Sequence, residues 1–119
     1  MSHSPQDVHK KVLGKKGEKL VCQYLKKQGC KILKTNYQTP FGEADILAQD
    51  GDEIAFVEVK TRTSDAYGAP REAVGTDKQK RYRKIAESYW KQTKTEPNAR
   101  FDVAEVYADG TIEYYKNAF

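Results

Sequence analysis

Residues 42–60, GEADILAQDGDEIAFVEVK, decide how this chain folds. Two apolar runs, ILA and IAFV, flank an Asp-Gly-Asp segment of the kind that closes a β-hairpin. Residues 43–49 and 53–60 are therefore predicted to be neighbouring strands. Within these otherwise apolar strands the sequence also places four ionisable residues: Glu43, Asp45, Glu58 and Lys60. A fold or a function has to account for charges in such positions.

Strand alternation places these charges on one face of the predicted hairpin. Residues two apart in a strand share a face, so Glu58 and Lys60 point the same way. A turn at residues 51–52 puts Asp45 directly opposite Glu58, and a turn at residues 50–51 puts it one pair away on the same face. Only a three-residue loop without a bulge would separate them. The two carboxylates are therefore predicted to lie side by side.

A pair of neighbouring carboxylates requires a cation, because like charges across a strand pair repel and burial makes the repulsion costly. Clustered carboxylates without histidine or thiolate suit an oxygen-preferring ion, Mg²⁺ or Mn²⁺. Such an ion activates water and polarises a phosphodiester. We assign Asp45 and Glu58 as metal ligands, and Lys60 to orient or deprotonate the water or to neutralise the phosphate. The alternative is a plain surface ion pair between Glu58 and Lys60.

The other elements follow from apolar periodicity and turn residues. In order, the predicted elements are a helix over 8–28, strands over 31–38, 43–49 and 53–60, a helix over 76–93, and strands over 100–107 and 111–116. Thr76 and Gln79 match a capping box at the start of the second helix. The order α-β-β-β-α-β-β predicts an α/β protein in which helices flank a mixed central sheet.

Length and composition set the class of protein. The 119 residues fit one domain, predicted over residues 8–119 with a mobile segment at 1–7. The net charge of +4 mildly favours a polyanionic partner. Two cysteines without metal-site spacing, no long apolar run and no apolar leader lead us to expect a cytoplasmic protein with reduced thiols.

Several motifs in this chain resemble a known family. An acid on one strand, followed by Glu58-Val59-Lys60 on the next, resembles the PD-(D/E)xK core of restriction-endonuclease-like proteins. Further motifs are GxxGE at 14–18, GEADI at 42–46, FVEVKTR at 56–62, a Lys-rich helix, and RFDV at 100–103. In combination, these motifs are similar to those of the YraN-type family of small bacterial proteins, which is related to archaeal Holliday-junction resolvases. The resemblance extends over residues 14–106, although Ala44 replaces the proline of the wider motif.

The resemblance implies a fold, an activity and a further site residue. It implies a restriction-endonuclease-like fold and a Mg²⁺- or Mn²⁺-dependent DNA endonuclease acting on branched or single-stranded DNA. Glu18 matches the helix glutamate that completes the metal site in the related resolvases. Gly14 and Gly17 on the buried helix face would let that helix pack closely on the sheet and bring Glu18 near. A homodimer is expected only if the substrate is a junction, in which two strands must be cut.

Basic residues supply candidate DNA contacts, although a solvated basic face is the ordinary alternative. The residues assigned to DNA are Arg62, Lys78, Arg81 and Lys84. Lys78 is unusual because the helix dipole disfavours a cation at a helix start, unless a phosphate or the acidic cluster lies opposite. Tyr67, in the loop over 61–69, is a candidate for stacking on a base.

Some assignments stay open. Glu43 is either a partner of the acidic site or simply exposed. Gln79 could contact a phosphate, but the capping box is the preferred explanation. Asp102 and Glu105 belong to the sheet surface or to a structural pair. The rival function is a non-catalytic nucleic-acid-binding module that keeps the nuclease fold, and a third is a protein-interaction scaffold.

Overall fold

A computed structural model describes the backbone of residues 5–62 and 74–119, and the side chains from residue 14 onward within those ranges. Its elements in chain order are α1 (Pro5–Lys27), β1 (Lys31–Thr39), β2 (Gly42–Asp50), β3 (Glu53–Arg62), α2 (Thr76–Thr93), β4 (Ala99–Tyr107) and β5 (Ile112–Tyr115). The predicted order α-β-β-β-α-β-β is confirmed. Helix α1 begins at Pro5, so residues 5–7 of the segment predicted to be mobile are helical, and residues 1–4 lie outside the described part.

The five strands form one mixed sheet in the order β1-β2-β3-β4-β5. Strands β3 and β4 are parallel, and the other neighbouring pairs are antiparallel. A parallel pair needs a crossover connection, which here contains α2. The mixed α/β class predicted from the sequence is therefore confirmed. Neither described helix is long and apolar enough to cross a membrane.

Each face of the sheet carries its own apolar cluster, as the alternation of side chains requires. The buried cluster on the α1 side consists of Val21, Leu25, Cys30, Ile46, Ala48, Ala55, Val57, Ala104 and Val106. The buried cluster on the α2 side consists of Tyr37, Ala44, Leu47, Phe56, Tyr82, Ile85 and Ala86. In β3, the side chains of Ala55 and Val57 therefore face α1 and that of Phe56 faces α2. By the same alternation Glu58 belongs to the α2 face.

The start of α2 differs from the prediction. Gly75 is the N-cap residue and provides no side-chain cap, so Thr76 is the first helical residue. The predicted capping box is therefore wrong by one residue, because its threonine would have to precede the first turn. The Gln79 side-chain amide instead donates a hydrogen bond of 3.0 Å to the carbonyl oxygen of Val74. That contact accounts for Gln79 without a phosphate.

Of the two glycines predicted to allow close packing of α1, only one lies at a tight contact. A Cβ atom at Gly17 would lie 3.3 Å from Thr61 Oγ1 and 3.7 Å from both Val59 and Val106. At Gly14 no atom of the described residues would lie within 4 Å of such a Cβ, so packing against that part of the chain does not explain this glycine.

The two glycines are therefore expected to respond oppositely to substitution. Gly17→Val should lower the free energy of unfolding by about 1–3 kcal/mol, because the added methyl groups have to displace the sheet. Gly14→Ala should raise it by about 0.5–1 kcal/mol, since alanine restricts the unfolded chain and favours the helix. Urea denaturation of both variants measures the difference. Equal effects at the two positions would contradict the packing assigned to Gly17.

Candidate functional site

Two carboxylates meet where regular pairing between β2 and β3 ends. Asp50 pairs with Glu53, so residues 51–52 form the turn, which is the first of the two registers considered from the sequence. The regular pairs continue to Ile46 and Val57. One position further the Asp45 carboxylate accepts a hydrogen bond of 2.8 Å from the backbone N–H of Val59. The Asp45 side chain thus replaces the next backbone contact and lies beside Glu58.

The surroundings of Asp45 disfavour its charged form. Burial, and then the neighbouring Glu58 carboxylate, raise the pKa of Asp45 from an ordinary value of 3.8 to about 7. The hydrogen bond from Val59 opposes this shift without cancelling it. Near neutral pH, a cation placed next to Asp45 would therefore favour its ionised form.

Two side chains from α2 bind Glu58, which is itself buried. The Lys78 ammonium group donates a hydrogen bond to Glu58 Oε1. The Tyr82 hydroxyl donates a hydrogen bond of 2.6 Å to Glu58 Oε2. Lys78 and Tyr82 are four residues apart and therefore lie on the same face of α2. Burial and the Glu58 carboxylate raise the pKa of Tyr82, so this hydroxyl stays protonated and remains a donor.

The contact of Lys78 with Glu58 explains why a cation stands at the start of α2. The sequence left two explanations, a phosphate or the acidic cluster opposite the helix, and the structure places Lys78 against Glu58. The attraction of a buried carboxylate outweighs the unfavourable helix dipole, which amounts to about 1 kcal/mol or less at exposed positions. In this structure the Lys78 ammonium group faces Glu58, and its predicted contact with DNA stays a prediction.

Lys60 lies at the edge of the same cluster. Its Nζ atom is 3.9 Å from Glu58 Oε1, and its side chain is 34% exposed. An ammonium group that is partly exposed and beside a buried acid can reach an anion arriving from solvent. The structure therefore brings Asp45, Glu58 and Lys60 together as the sequence predicted.

Glu18 approaches the cluster from α1. Burial raises its pKa, a hydrogen bond with Asn36 lowers it, and the charges of Glu43 and Glu58 raise it again, with a net increase. These couplings place Glu18 in the same acidic neighbourhood. Glu43 is exposed, and its coupling to Glu18 shows that it adds negative charge to this region.

Whether these residues suit a divalent cation can be judged from the donors. The oxygens of Asp45 and Glu58 are hard donors, and Mg²⁺ commonly binds one or two carboxylates while substrate phosphate and water complete its shell. Among the residues that the structure describes, no group of three His, Cys, Asp or Glu side chains could hold a metal ion together. The donors that remain for a cation are the two carboxylates of Asp45 and Glu58, and Glu18 stays a predicted third ligand.

The basic residues assigned to DNA divide into two groups. Arg62 is buried, and its Nη2 atom lies 3.4 Å from Glu105 Oε1. Its predicted DNA contact stays a prediction. Arg62 shares a face of β3 with Lys60, and its guanidinium lies against Glu105 on β4. Arg81 and Lys84 are exposed on α2 and remain predicted DNA contacts. Most of the loop over 61–69, with Tyr67, lies outside the described residues.

Sequence reasoning missed the role of Tyr82. It assigned this tyrosine to the apolar stripe of α2, whereas the hydroxyl binds Glu58. One signal was available: Tyr82 follows Lys78 by four residues, so a polar tip on that stripe has a charged neighbour. A buried tyrosine hydroxyl usually has a hydrogen-bond partner, and the strand acid was the nearest candidate.

Comparison with known proteins gives consistent matches over most of the chain. A family model described as uncharacterised protein family UPF0102 matches residues 17–106. The chain is 48% identical over 107 residues to the UPF0102 protein of Thermodesulfovibrio yellowstonii, covering 90% of this chain and 95% of that protein. It is 50% identical over 110 residues to the UPF0102 protein of Syntrophus aciditrophicus, covering 89% and 87%. The matched region includes both strands that carry the candidate site.

A solved structure is also similar to this chain, at a low level. It is the structure of Pyrococcus furiosus SfsA in complex with Ca²⁺, with a TM-score of 0.32 and 17% sequence identity. The match covers 93% of this chain and 63% of that one.

Proposed function

The chain belongs to the uncharacterised protein family UPF0102, the YraN family that its motifs predicted, and from this premise we propose that it is a metal-dependent DNA endonuclease. The substrate proposed is branched or single-stranded DNA, and the cofactor is Mg²⁺ or Mn²⁺. The fold proposed for this activity is the restriction-endonuclease-like one that the motifs resemble.

One observation carries the proposal: Asp45 and Glu58 are held together in a partly buried position at which Asp45 resists ionisation near neutral pH. The repulsion between the two carboxylates opposes folding, so this pair lowers the stability of the protein. A pair that costs stability indicates a functional use. Perturbed acids of this kind cluster at functional sites. A divalent ion would relieve the repulsion and favour the ionised form of both.

The roles of the residues follow from their positions. Mg²⁺ or Mn²⁺, when bound, would polarise the phosphate and acidify a water molecule. Asp45 and Glu58 would bind that ion, and Glu18 would add negative charge behind them. Lys60, partly exposed beside Glu58, would neutralise the scissile phosphate as negative charge develops on it. The Tyr82 hydroxyl and the Val59 N–H orient Glu58 and Asp45 respectively.

Lys78 has a separate role as the counter-ion of Glu58. An ion that binds Glu58 has to share it with the ammonium group of Lys78 or displace that group. Because Lys78 is about one-third exposed, its long side chain can turn toward solvent, where a DNA phosphate would be an alternative partner. Its predicted DNA contact is compatible with the structure in this form.

The proposed activity is tested by cleavage of labelled single-stranded, four-way-junction and duplex DNA with Mg²⁺ or Mn²⁺. Wild-type protein should cut at least one of the first two, and chelation should stop it. Lys60→Ala should reduce the rate about 10²- to 10³-fold, in line with the loss of one transition-state contact. Lys91→Ala, at an exposed lysine in the last turn of α2, is the matched control and should cut normally.

The outcome decides between two functions. Cleavage that survives chelation, or Lys60→Ala cutting as fast as Lys91→Ala, would contradict the proposed site. If no substrate is cut but wild-type and Lys60→Ala proteins bind DNA alike, the protein is a non-catalytic nucleic-acid-binding module. That second function is favoured by one observation, namely that Lys78 and Tyr82 already occupy both oxygens of Glu58.

A further inference from the structure

Phe41 is exposed to solvent at the turn between β1 and β2. Only Phe41 and Trp90 are large apolar side chains that are exposed within the described ranges, at 43% and 44% respectively. Turns are usually polar, and an aromatic ring in water contributes nothing to the core. A single exposed ring is ordinary by itself. The position of Phe41 is what matters here, because it directly precedes β2, the strand that carries Asp45.

The turn holds Phe41 in a defined position. The backbone N–H of Phe41 donates a hydrogen bond of 3.1 Å to Thr39 Oγ1, and the Thr39 hydroxyl donates one of 2.9 Å to the carbonyl oxygen of Gly42. Gly42 has a φ of +138°, which favours glycine. A Cβ atom there would lie 3.7 Å from the Arg81 side chain, so the turn rests against α2. The ring is thus presented by a fixed turn.

Two basic side chains of α2 lie close to Phe41 and its turn. Lys84 Nζ lies 5.5 Å from the centroid of the Phe41 ring, within the range of a cation–π contact. Arg81, one helical turn earlier, lies against the same turn and is exposed. Lys84 lies over the ring, so a base would have to stack on the other face of Phe41, which is 43% exposed. An exposed aromatic ring with two cations close by suits an unpaired base whose flanking phosphates are negatively charged.

We propose that Phe41 is a stacking platform for an unpaired base of single-stranded DNA, with Lys84 and Arg81 contacting the adjacent phosphates. The inference rests on the proposed function, because it identifies the class of substrate that reaches the acidic site. Strand β2 begins at Gly42, so Asp45 lies about 10 Å along the strand at roughly 3.3 Å per residue. A strand stacked on Phe41 would therefore reach the acidic site within a few nucleotides.

Trp90 provides a matched comparison because it is equally exposed on a different surface. It follows Arg81 by nine residues on α2, which at 100° per residue places it on the opposite side of the helix. A general attraction of DNA for exposed aromatic rings would involve both residues. A platform at the turn involves Phe41 alone.

The first test measures binding of a labelled 20-nucleotide oligo(dT) in EDTA, so that cleavage plays no part. Phe41→Ala should bind roughly 5- to 100-fold more weakly than wild type, the range for loss of one base–aromatic stack. Phe41→Tyr should bind nearly as wild type, and Trp90→Ala should match wild type. Duplex DNA, whose bases are already stacked, should bind Phe41→Ala and wild-type protein alike.

A second measurement separates stacking from a merely structural role for the ring. Trp90→Phe removes the only tryptophan of the chain, and Phe41→Trp in that background places the only indole at the turn. Oligo(dT) should quench its fluorescence, whereas an abasic oligomer of equal length should not. Quenching by both oligomers, or by neither, would contradict the proposal that a base stacks on the ring at position 41.

These results are independent of whether the protein cuts DNA. If Phe41→Ala and wild-type proteins bind oligo(dT) equally, or wild type binds none at low salt, the platform is wrong even if duplex or junction DNA is cut. If oligo(dT) binding depends on Phe41 but no DNA is cut with Mg²⁺ or Mn²⁺, the platform stands and the proposed nuclease activity fails. Binding of a protein partner at Phe41 with no effect on DNA would also overturn it.

Discussion

Asp45→Asn is expected to increase the stability of the protein at pH 8, by an amount that shrinks toward zero as the pH falls to about 4. The reason is the raised pKa of Asp45, about 7 in the folded protein against 3.8 ordinarily. Asparagine keeps an oxygen that can accept the hydrogen bond from Val59, but it removes the negative charge beside Glu58.

The sign follows from proton binding. Between pH 4 and pH 7 the folded protein holds a proton on Asp45 that the unfolded chain has already released, so the free energy of unfolding falls as the pH rises. Each unit of pKa difference corresponds to about 1.4 kcal/mol. Between pH 5 and pH 8 the gain from Asp45→Asn relative to wild type should therefore grow by about 2–3 kcal/mol.

Urea denaturation of wild type and Asp45→Asn at pH 5, 6.5 and 8 measures this growth. Asp52→Asn is the control, because the Asp52 side chain is exposed in the turn between β2 and β3. Its stability should run parallel to that of wild type. A constant difference between Asp45→Asn and wild type across the three pH values would show that folding does not raise the pKa of Asp45.

The same variant tests the proposed ion without any DNA. Millimolar Mn²⁺ at pH 8 should stabilise the wild-type protein, since a ligand that binds only the folded state adds RT ln(1 + [L]/Kd) to its stability. Asp45→Asn should show little or no such gain. Stabilisation of both proteins to the same degree would place the ion elsewhere, and stabilisation of neither would argue against an ion at Asp45.

Arg100→Met is expected to have the largest effect on stability of any single substitution considered, a loss of about 3–5 kcal/mol. Arg100 is 2% exposed, and its Nε atom donates hydrogen bonds of 3.0 and 3.1 Å to the two oxygens of Asp102. Its Nη1 atom lies 3.0 Å from Asp50 and 3.1 Å from Glu53. Removing the guanidinium leaves the buried Asp102 carboxylate without its cation.

The environment of Asp102 explains the size of this effect. Its side chain is fully buried, and it also accepts hydrogen bonds from the Tyr114 hydroxyl at 2.6 Å and from the backbone N–H of Asn117 at 3.0 Å. Burial alone would lower the pKa of Arg100, but its bonds to Asp102 and Asp50 hold that pKa above the ordinary value. The arginine is therefore charged at every accessible pH, and the network ties β4 to the turn of β2 and β3 and to the carboxyl-terminal segment.

A double variant separates loss of the pair from loss of packing. Arg100→Met combined with Asp102→Asn should be more stable than Arg100→Met alone, because the unpaired buried charge is gone while asparagine still accepts a hydrogen bond. Lys116→Met is the control, since Lys116 is exposed and forms only an outer contact of 3.5 Å with Asp50. It should cost at most about 1 kcal/mol. An Arg100→Met effect as small as that of Lys116→Met would contradict the role assigned to Arg100.

Much of the architecture was predictable because its causes are local. The strand breaks follow from turn residues, and the pairing of Asp50 with Glu53 follows from the two-residue turn between them. That register sets Asp45 beside Glu58, so the centre of the candidate site was available before any coordinates. The predicted boundaries of α2, residues 76–93, also agree with the structure.

The sequence did not anticipate contacts that join residues far apart in the chain. Arg62 was assigned to DNA, and its hydrogen bond with Glu105, 43 residues later, was not foreseen. Arg100 received no role, although Asp50 and Glu53 lie within hydrogen-bond reach of it. The capping box failed for a smaller reason, because a one-residue shift in the helix start changes which residue is the N-cap.

By itself, the sequence determined the order of the elements, the family, and the meeting of Asp45 with Glu58, because alternation and turn length act within a few residues. Only the tertiary structure decided how that acidic pair is held. Lys78 and Tyr82 reach Glu58 across about 20 and 24 positions of chain. The crossover of α2 onto the sheet makes these contacts, and no local pattern specifies where a crossover helix comes to rest.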